Sequence, residues 1–282
     1  MRSSYAACIG ALATFLSACG GSAADESAVD GDAIIRGTVA PASRNGVVYI
    51  QNGGICTGSL VAPNLVMTAR HCVSQMTDMM AECLPNGTAK QGGGVGSDLP
   101  LGEIFVAVRG KDGKPANPVN PSKIITDKSK NLCSHDIAFL LLKTPITGVP
   151  IVPLRLENTS KVGEAVTAIG WGYTELNAPA KTLMERKISL LEVGPGSRTS
   201  QAELLVAEGP CHGDSGGPLL SAKGAAIGVT SIGGDDSQTP SQAKPSAVCM
   251  GAKTKTFYTK IAQFKSLVDI AFLLAGAKPT LE

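Results

Sequence analysis

The apolar residues of this chain fall in short runs, at 47–50, 59–61, 65–67, 104–108, 137–142, 165–169, 187–193, 218–220 and 226–231. Glycine, proline, asparagine or aspartate punctuates them, and runs of this length between turn residues predict β-strands. One stretch has a different period. Ile261, Phe264, Leu267, Val268, Ala271 and Leu274 recur at three- and four-residue steps, which predicts a terminal helix with one apolar face. The hexapeptide DIAFLL occurs twice, beginning at Asp136 and at Asp269. At Asp136 it follows Cys133-Ser134-His135 and predicts a loop entering a buried strand. At Asp269 it lies inside the helical pattern, with Asp269 toward solvent. The flanking residues do not match, so the recurrence is coincidence rather than a repeat. Two polar stretches, 73–100 and 233–248, interrupt the pattern as surface insertions.

Composition agrees with an all-β class. The chain has 282 residues, 33 of them Gly and 17 Pro, enough for one sizeable core or two packed halves. A net charge of +2 and a charged fraction of 17% exclude nucleic acid as the main partner and exclude disorder as the main theme.

The N-terminus reads as an export signal. Arg2 precedes a small apolar stretch, 6–16, too short to span a bilayer. It ends in Leu16-Ser17-Ala18-Cys19-Gly20, which is similar to a bacterial lipobox. That predicts a lipoprotein signal over 1–18, lipidation of Cys19, and membrane attachment through this anchor alone. An ordinary secretory signal cut near Ser22-Ala23-Ala24 is the alternative. Residues 19–33, small and acidic, are expected to form a tether or propeptide, with a single folded domain over 34–282. Export also gives meaning to Cys56, Cys72, Cys83, Cys133, Cys211 and Cys249, which on count alone allow 15 disulfide pairings. With no close C-x-x-C pair and no histidine at ligand spacing, neither a metal nor a cofactor is expected.

The chemistry-bearing signal is Cys211-His212-Gly213-Asp214-Ser215-Gly216-Gly217-Pro218-Leu219. A serine hydroxyl needs an adjacent base to become a nucleophile, and flanking glycines let backbone N–H groups approach a developing oxyanion. The segment also fits G-x-S-x-G, the nucleophile elbow of α/β-hydrolases, but those enzymes need a histidine after the serine. The three histidines, His71, His135 and His212, all precede Ser215. Thr68-Ala69-Arg70-His71-Cys72 offers the base, on a loop that a disulfide could stiffen. Asp136, opening its strand, offers a buried acid to orient the imidazole. His135 and His212 are expected to serve surface or structural roles.

Together TARHC, DIAFLLL and CHGDSGGPL resemble the three catalytic motifs of chymotrypsin-like (trypsin-like) serine proteases, in the same order. Ile34-Ile35-Arg36-Gly37-Thr38 resembles their mature N-terminus. Cys56-Thr57-Gly58-Ser59-Leu60, Gly170-Trp171-Gly172-Tyr173-Thr174 and Phe257-Tyr258-Thr259-Lys260 resemble further segments, so the likeness spans about 34–274. It implies two packed antiparallel six-stranded β-barrels with a C-terminal helix. It implies a secreted, monomeric serine endopeptidase acting on proteins or peptides, with Ser215 as nucleophile, His71 as base and Asp136 orienting the base. The backbone N–H groups of Gly213 and Ser215 become the oxyanion hole. The resemblance pairs Cys56 with Cys72 and Cys211 with Cys249, and those two pairings leave Cys83 with Cys133. Gly209 falls at the pocket floor, with Ser231, Gly233 and Thr256 lining the substrate site. Without a carboxylate at Gly209, cleavage after small or medium apolar residues is expected, rather than after Arg or Lys. Cutting Ala33–Ile34 would free an Ile34 ammonium to pair with Asp214, although Arg36 stands where the family has glycine. A catalytically inactive binding homologue and an esterase are the competing functions.

Overall fold

The computed structural model describes residues 34–78, 81–235, 237–238 and 244–282. All of them lie in one compact unit, Gly31–Glu282. The predicted signal, Cys19 and the tether fall outside the described residues.

Two antiparallel sheets dominate. The first runs in the order Pro115–Val119, Phe105–Arg109, Val47–Gln51, Ile55–Ala62, Leu65–Thr68, Ala138–Leu142, Pro121–Ile125. The second runs Thr38–Val39, Met184–Ser189, Ala165–Gly170, Pro218–Leu220, Ala226–Gly234, Lys255–Lys260, Glu203–Val206, Glu192–Val193. The expected six-stranded closed barrels are therefore corrected to two curled half-barrel sheets of seven and eight strands, with no ladder among the described residues joining the edge strands of either. Proline explains part of this. Both edges of the first sheet begin on a proline (Pro115, Pro121), Pro118 interrupts one of them, and proline brings no N–H to a ladder.

The central strands are the apolar runs of the sequence. Leu65–Thr68 is buried at every position, and its neighbour Ala138–Leu142 is buried at all but Leu141. Strands covered on both faces read as continuous apolar runs rather than alternating ones. The polar stretch 73–100 is not a bare loop. It folds into two ribbons, Ser74–Met76 with Val95–Asp98 and Ala81–Cys83 with Ala89–Gly92. Backbone pairing needs no apolar pattern, which is why these strands left no periodic trace.

The helix forms at Lys265–Ala275, preceded by a short 3₁₀ turn at Ile261–Gln263, and ends at Gly276 with φ 64°. Glycine adopts that left-handed cap freely. Leu267, Val268, Ala271 and Phe272 are buried, Asp269 faces solvent as expected, and Leu274 is exposed. The predicted stripe thus departs only at its end: Phe272, four residues from Val268 on the buried face, takes the place assigned to Leu274.

Candidate active site

Register carries two of the candidate residues to the same end of the first sheet. Leu65–Thr68 and Ala138–Leu142 pair antiparallel with Thr68 opposite Ala138. His71 follows Thr68 by three residues and Asp136 precedes Ala138 by two, so both emerge beside one another. His71 sits on the single turn Arg70–Cys72, which the Cys56–Cys72 disulfide ties to the adjacent strand. The His71 N–H donates to Asp136 Oδ1 at 3.0 Å, and His71 Nδ1 lies 2.7 Å from Asp136 Oδ2. The Ser231 hydroxyl donates to the same Oδ2 at 2.6 Å, and the Thr259 hydroxyl donates to the Asp136 carbonyl at 3.0 Å.

Asp136 is fully buried, while the His71 side chain keeps 22% of its surface exposed. Burial pushes the Asp136 carboxyl up, but the His71 charge and the hydrogen bonds from His71 and Ser231 outweigh it and hold the carboxyl below its ordinary value. Burial likewise opposes protonation of His71, yet the Asp136 charge and hydrogen bond leave the imidazole above its ordinary value.

Ser215 comes from the other sheet, in the turn before Pro218–Leu220. Thr57 joins the two sides. Its N–H donates to the Ser215 carbonyl at 2.8 Å, its hydroxyl donates to the Gly213 carbonyl at 2.9 Å, and it accepts the Trp171 N–H at 3.1 Å. Among the described residues no hydrogen bond closes between the Ser215 hydroxyl and His71; a nucleophile–base bond of this kind often tightens only as substrate binds. In the same turn, Cys211, Asp214, Gly216 and Gly217 all donate their N–H groups. Those of Gly213 and Ser215 donate to nothing among the described residues, which leaves two adjacent donors for an incoming oxygen. Gly213 holds φ 91°, and a Cβ there would come within 2.8 Å of the Gly172 backbone.

Beneath that turn Asp214 is fully buried. Its carboxylate accepts the Gly172 N–H and the Cys211 N–H, each at 2.8 Å, and also the Ile34 N–H. A Cβ on Gly172 would meet the Asp214 carboxyl carbon at 2.6 Å, so glycine is required there by close approach.

A profile of the trypsin family matches residues 34–268. The chain belongs to the trypsin family. It is a serine-type endopeptidase, and its triad-like geometry stands in the fold of that family. Trypsin iota of Drosophila melanogaster is 26% identical over 194 residues, covering 63% of this chain and 68% of the relative. A chymase of Rattus norvegicus is 29% identical over 228 residues, covering 76% and 77%. The structure of neuropsin, a serine protease expressed in the limbic system of mouse brain, superposes with a TM-score of 0.61 at 21% identity. That match covers 84% of this chain and 99% of neuropsin, and it bears on fold alone. These relatives are animal proteins and lend nothing to the expected bacterial lipid-anchored form.

The remaining expectations fare unequally within the trypsin-family frame. Among the described residues three disulfides form: Cys56–Cys72, Cys83–Cys133 and Cys211–Cys249. Gly233 pairs with Thr256 across two strands, and the Thr256 hydroxyl is buried without a partner among the described residues. Gly209 is buried, and its carbonyl accepts the Ile35 N–H at 2.7 Å. His135 pairs instead with Asp127 at 2.5 Å, and His212 reaches the Pro245 carbonyl, so neither competes for Asp136. Both clusters of one histidine with two cysteines, at His71 and His212, have their sulfurs bonded to each other. A concavity of about 650 Å³ between Arg155, Glu164, Lys223 and Glu282 lies apart from all these residues and is crossed by ion pairs. Sequence reasoning assigned Ser231 to the substrate edge and missed its bond to Asp136. It also missed Thr57 as the link between the sheets.

Proposed function

We propose that this endopeptidase hydrolyses peptide bonds through a Ser215–His71–Asp136 triad. The observation that carries the proposal is the His71–Asp136 pair: an aspartate with no exposed surface, 2.7 Å from the imidazole and held on three sides by donors. Asp136 fixes the tautomer with Nδ1 protonated, so Nε2 is free to take the Ser215 proton as Oγ attacks the substrate carbonyl. The unused N–H groups of Gly213 and Ser215 receive the negative charge that forms on the carbonyl oxygen. His71 then returns its proton to the leaving amine, the acyl-enzyme is left on Ser215, and water activated by His71 releases it. These roles follow the general serine-protease template. Labelling of Ser215 by a fluorophosphonate, with loss of peptide hydrolysis in Ser215→Ala, is the expected result. An unlabelled, inactive protein would leave the inactive binding homologue, and turnover of esters without amides would leave the esterase.

For specificity, the proposal is cleavage after small or medium apolar residues. Gly209 brings no carboxylate, and the one acid beside it, Glu208, is already committed to Arg36 and Arg186 at 3.0 Å each. A substrate guanidinium or ammonium would enter with no free anion to meet it. A peptide panel should favour Ala, Val or Leu before the cut; strong preference for Arg or Lys would overturn this.

Processing at Ala33–Ile34 is proposed to raise activity. Ile34 is fully buried yet held at φ 60°, a conformation a β-branched residue adopts at a cost of about 1–3 kcal/mol. Cutting the preceding bond removes the carbonyl that makes this torsion costly and creates an ammonium beside Asp214. Export through the 1–18 signal is consistent with three disulfides, which persist in oxidising compartments. Attachment through Cys19, with 19–33 as tether and 34–282 as the protease domain, is tested by fatty-acid incorporation into wild type and Cys19→Ala.

A further inference from the structure

Arg36 has a left-handed backbone, φ 57°, at the position where glycine would adopt it freely. Two carboxylates hold it there, and one of them gathers further donors. Arg36 Nη1 lies 3.0 Å from Glu208 Oε1, and the Arg36 N–H donates to Glu175 Oε2 at 3.1 Å. Arg186 Nη1 donates to the same Glu208 oxygen at 3.0 Å and to the Ile35 carbonyl at 2.8 Å. The other oxygen, Glu208 Oε2, accepts the Gly251 N–H at 2.6 Å. Glu208 is buried and directly precedes Gly209, whose carbonyl takes the Ile35 N–H.

One side chain therefore meets three separate parts of the molecule. Arg36 belongs to the Ile34–Gly37 segment, Arg186 to the strand Met184–Ser189, and Gly251 to the turn between Cys249 and the strand that carries Thr256. Burial alone would push the Glu208 carboxyl up, but the Gly251 N–H and the two guanidinium groups hold it below its ordinary value, so it is an anion at working pH. A charged group with this many fixed partners resists displacement in any direction.

We propose that Glu208 is a positioning residue for peptide hydrolysis. Its carboxylate locks the Ile34–Gly37 segment, the Met184–Ser189 strand and the Gly251 turn into one register, and thereby sets the floor of the substrate pocket at Gly209 and the wall at Thr256. This rests on the reading of Gly209 and Thr256 as pocket residues. Glu208 acts on the shape of the pocket and not on the charge of the substrate, because its oxygens are taken by the protein's own donors. Arg36 is the segment's side of the clamp, which accounts for an arginine in a conformation that suits glycine.

The test is Glu208→Gln in the otherwise unaltered chain, with a peptide amide substrate and a small fluorophosphonate lacking a pocket-filling group. Removing the charge while keeping the shape should raise KM about tenfold, with kcat and the labelling rate of Ser215 changed by less than about threefold. Arg36→Gly removes one clamp from a side chain that is 65% exposed, so it does not threaten folding. It should raise KM by a smaller factor, and combined with Glu208→Gln it should add nothing further. If Glu208→Gln does not fold, Arg36→Gly alone decides. A lowered melting temperature with unchanged KM, or effects of the two substitutions that multiply, would overturn the proposal. Absence of labelling and hydrolysis in the unaltered protein would instead sink the triad reading and leave Glu208 without a reaction to serve.

Discussion

Asp136 is the residue on which the site's protonation logic turns. Its two oxygens accept from the His71 N–H, from His71 Nδ1 and from the Ser231 hydroxyl, with no exposed surface left for water. An anion so held favours the protonated imidazole, which is why His71 stays above its ordinary value of 6.5 despite the opposing effect of burial. In the proposed triad only the neutral imidazole can accept the Ser215 proton. Activity should therefore be lost as pH falls through the raised His71 value, and the acid limb of kcat/KM should have its midpoint above 6.5. Ser231→Ala removes one donor to Asp136 and makes the carboxylate more basic. The limb should then move further toward alkaline pH, by a few tenths of a unit or more. A limb unchanged in Ser231→Ala, measured with a substrate that reports on kcat/KM, would remove Ser231 from this role. His71, Asp136 and Ser215 were legible in the chain because each sits in a local motif. The Ser231 bond was not, since it depends on a contact between residues 95 apart in sequence.

At the scale of elements, local pattern and tertiary pairing part company. The central strands announce themselves through apolar runs, because both of their faces are covered. The ribbons within 73–100 do not, because most of their side chains face solvent and only backbone pairing holds them. Residues 131–133 fasten these ribbons to the site. The Leu132 N–H donates to the Gly93 carbonyl, and Cys83 is bonded to Cys133, three residues before Asp136. That disulfide spans 50 residues of sequence, so the chain-entropy view assigns it about 4 kcal/mol of stability. Replacing Cys83 and Cys133 together by serine should cost about 2–4 kcal/mol in urea unfolding. It should also raise hydrogen exchange in 81–92 before the central strands respond. Equal protection of both regions in the variant would mean that the ribbons are held by other contacts. That the sheets stay open half-barrels, too, was out of reach of the sequence pattern. It depends on which edge strands meet, and single-strand periodicity carries no information about partners.

Across the whole molecule, the segment at Ile34 and the turn at Ser215 meet over Asp214. With Ala33 still attached, Ile34 offers this carboxylate only a neutral N–H. Burial then pushes the Asp214 carboxyl from its ordinary 3.8 up to about 7, against the lowering effect of the Cys211, Gly172 and Ile34 N–H groups. The folded value exceeds the unfolded one, so the folded chain keeps a proton that the unfolded chain has already released. The stability tied to Asp214 is fully present below pH 3.8, is lost progressively as pH rises to about 7, and is level beyond it. Cutting Ala33–Ile34 changes the partner to an ammonium, which favours the ionised carboxylate and reverses the sign of the shift. The cut chain should therefore lose its Asp214 stability only below pH 3.8 and hold level across the interval in which the uncut chain loses it. Urea midpoints of the two forms, measured in a Ser215→Ala background that prevents self-cleavage, should diverge steadily between pH 4 and 7. Asp214→Asn should abolish the divergence while leaving the other pH dependence in place. Parallel curves for the cut and uncut chains would mean that the new ammonium does not reach Asp214, and that the buried Ile34 side chain alone holds the segment down.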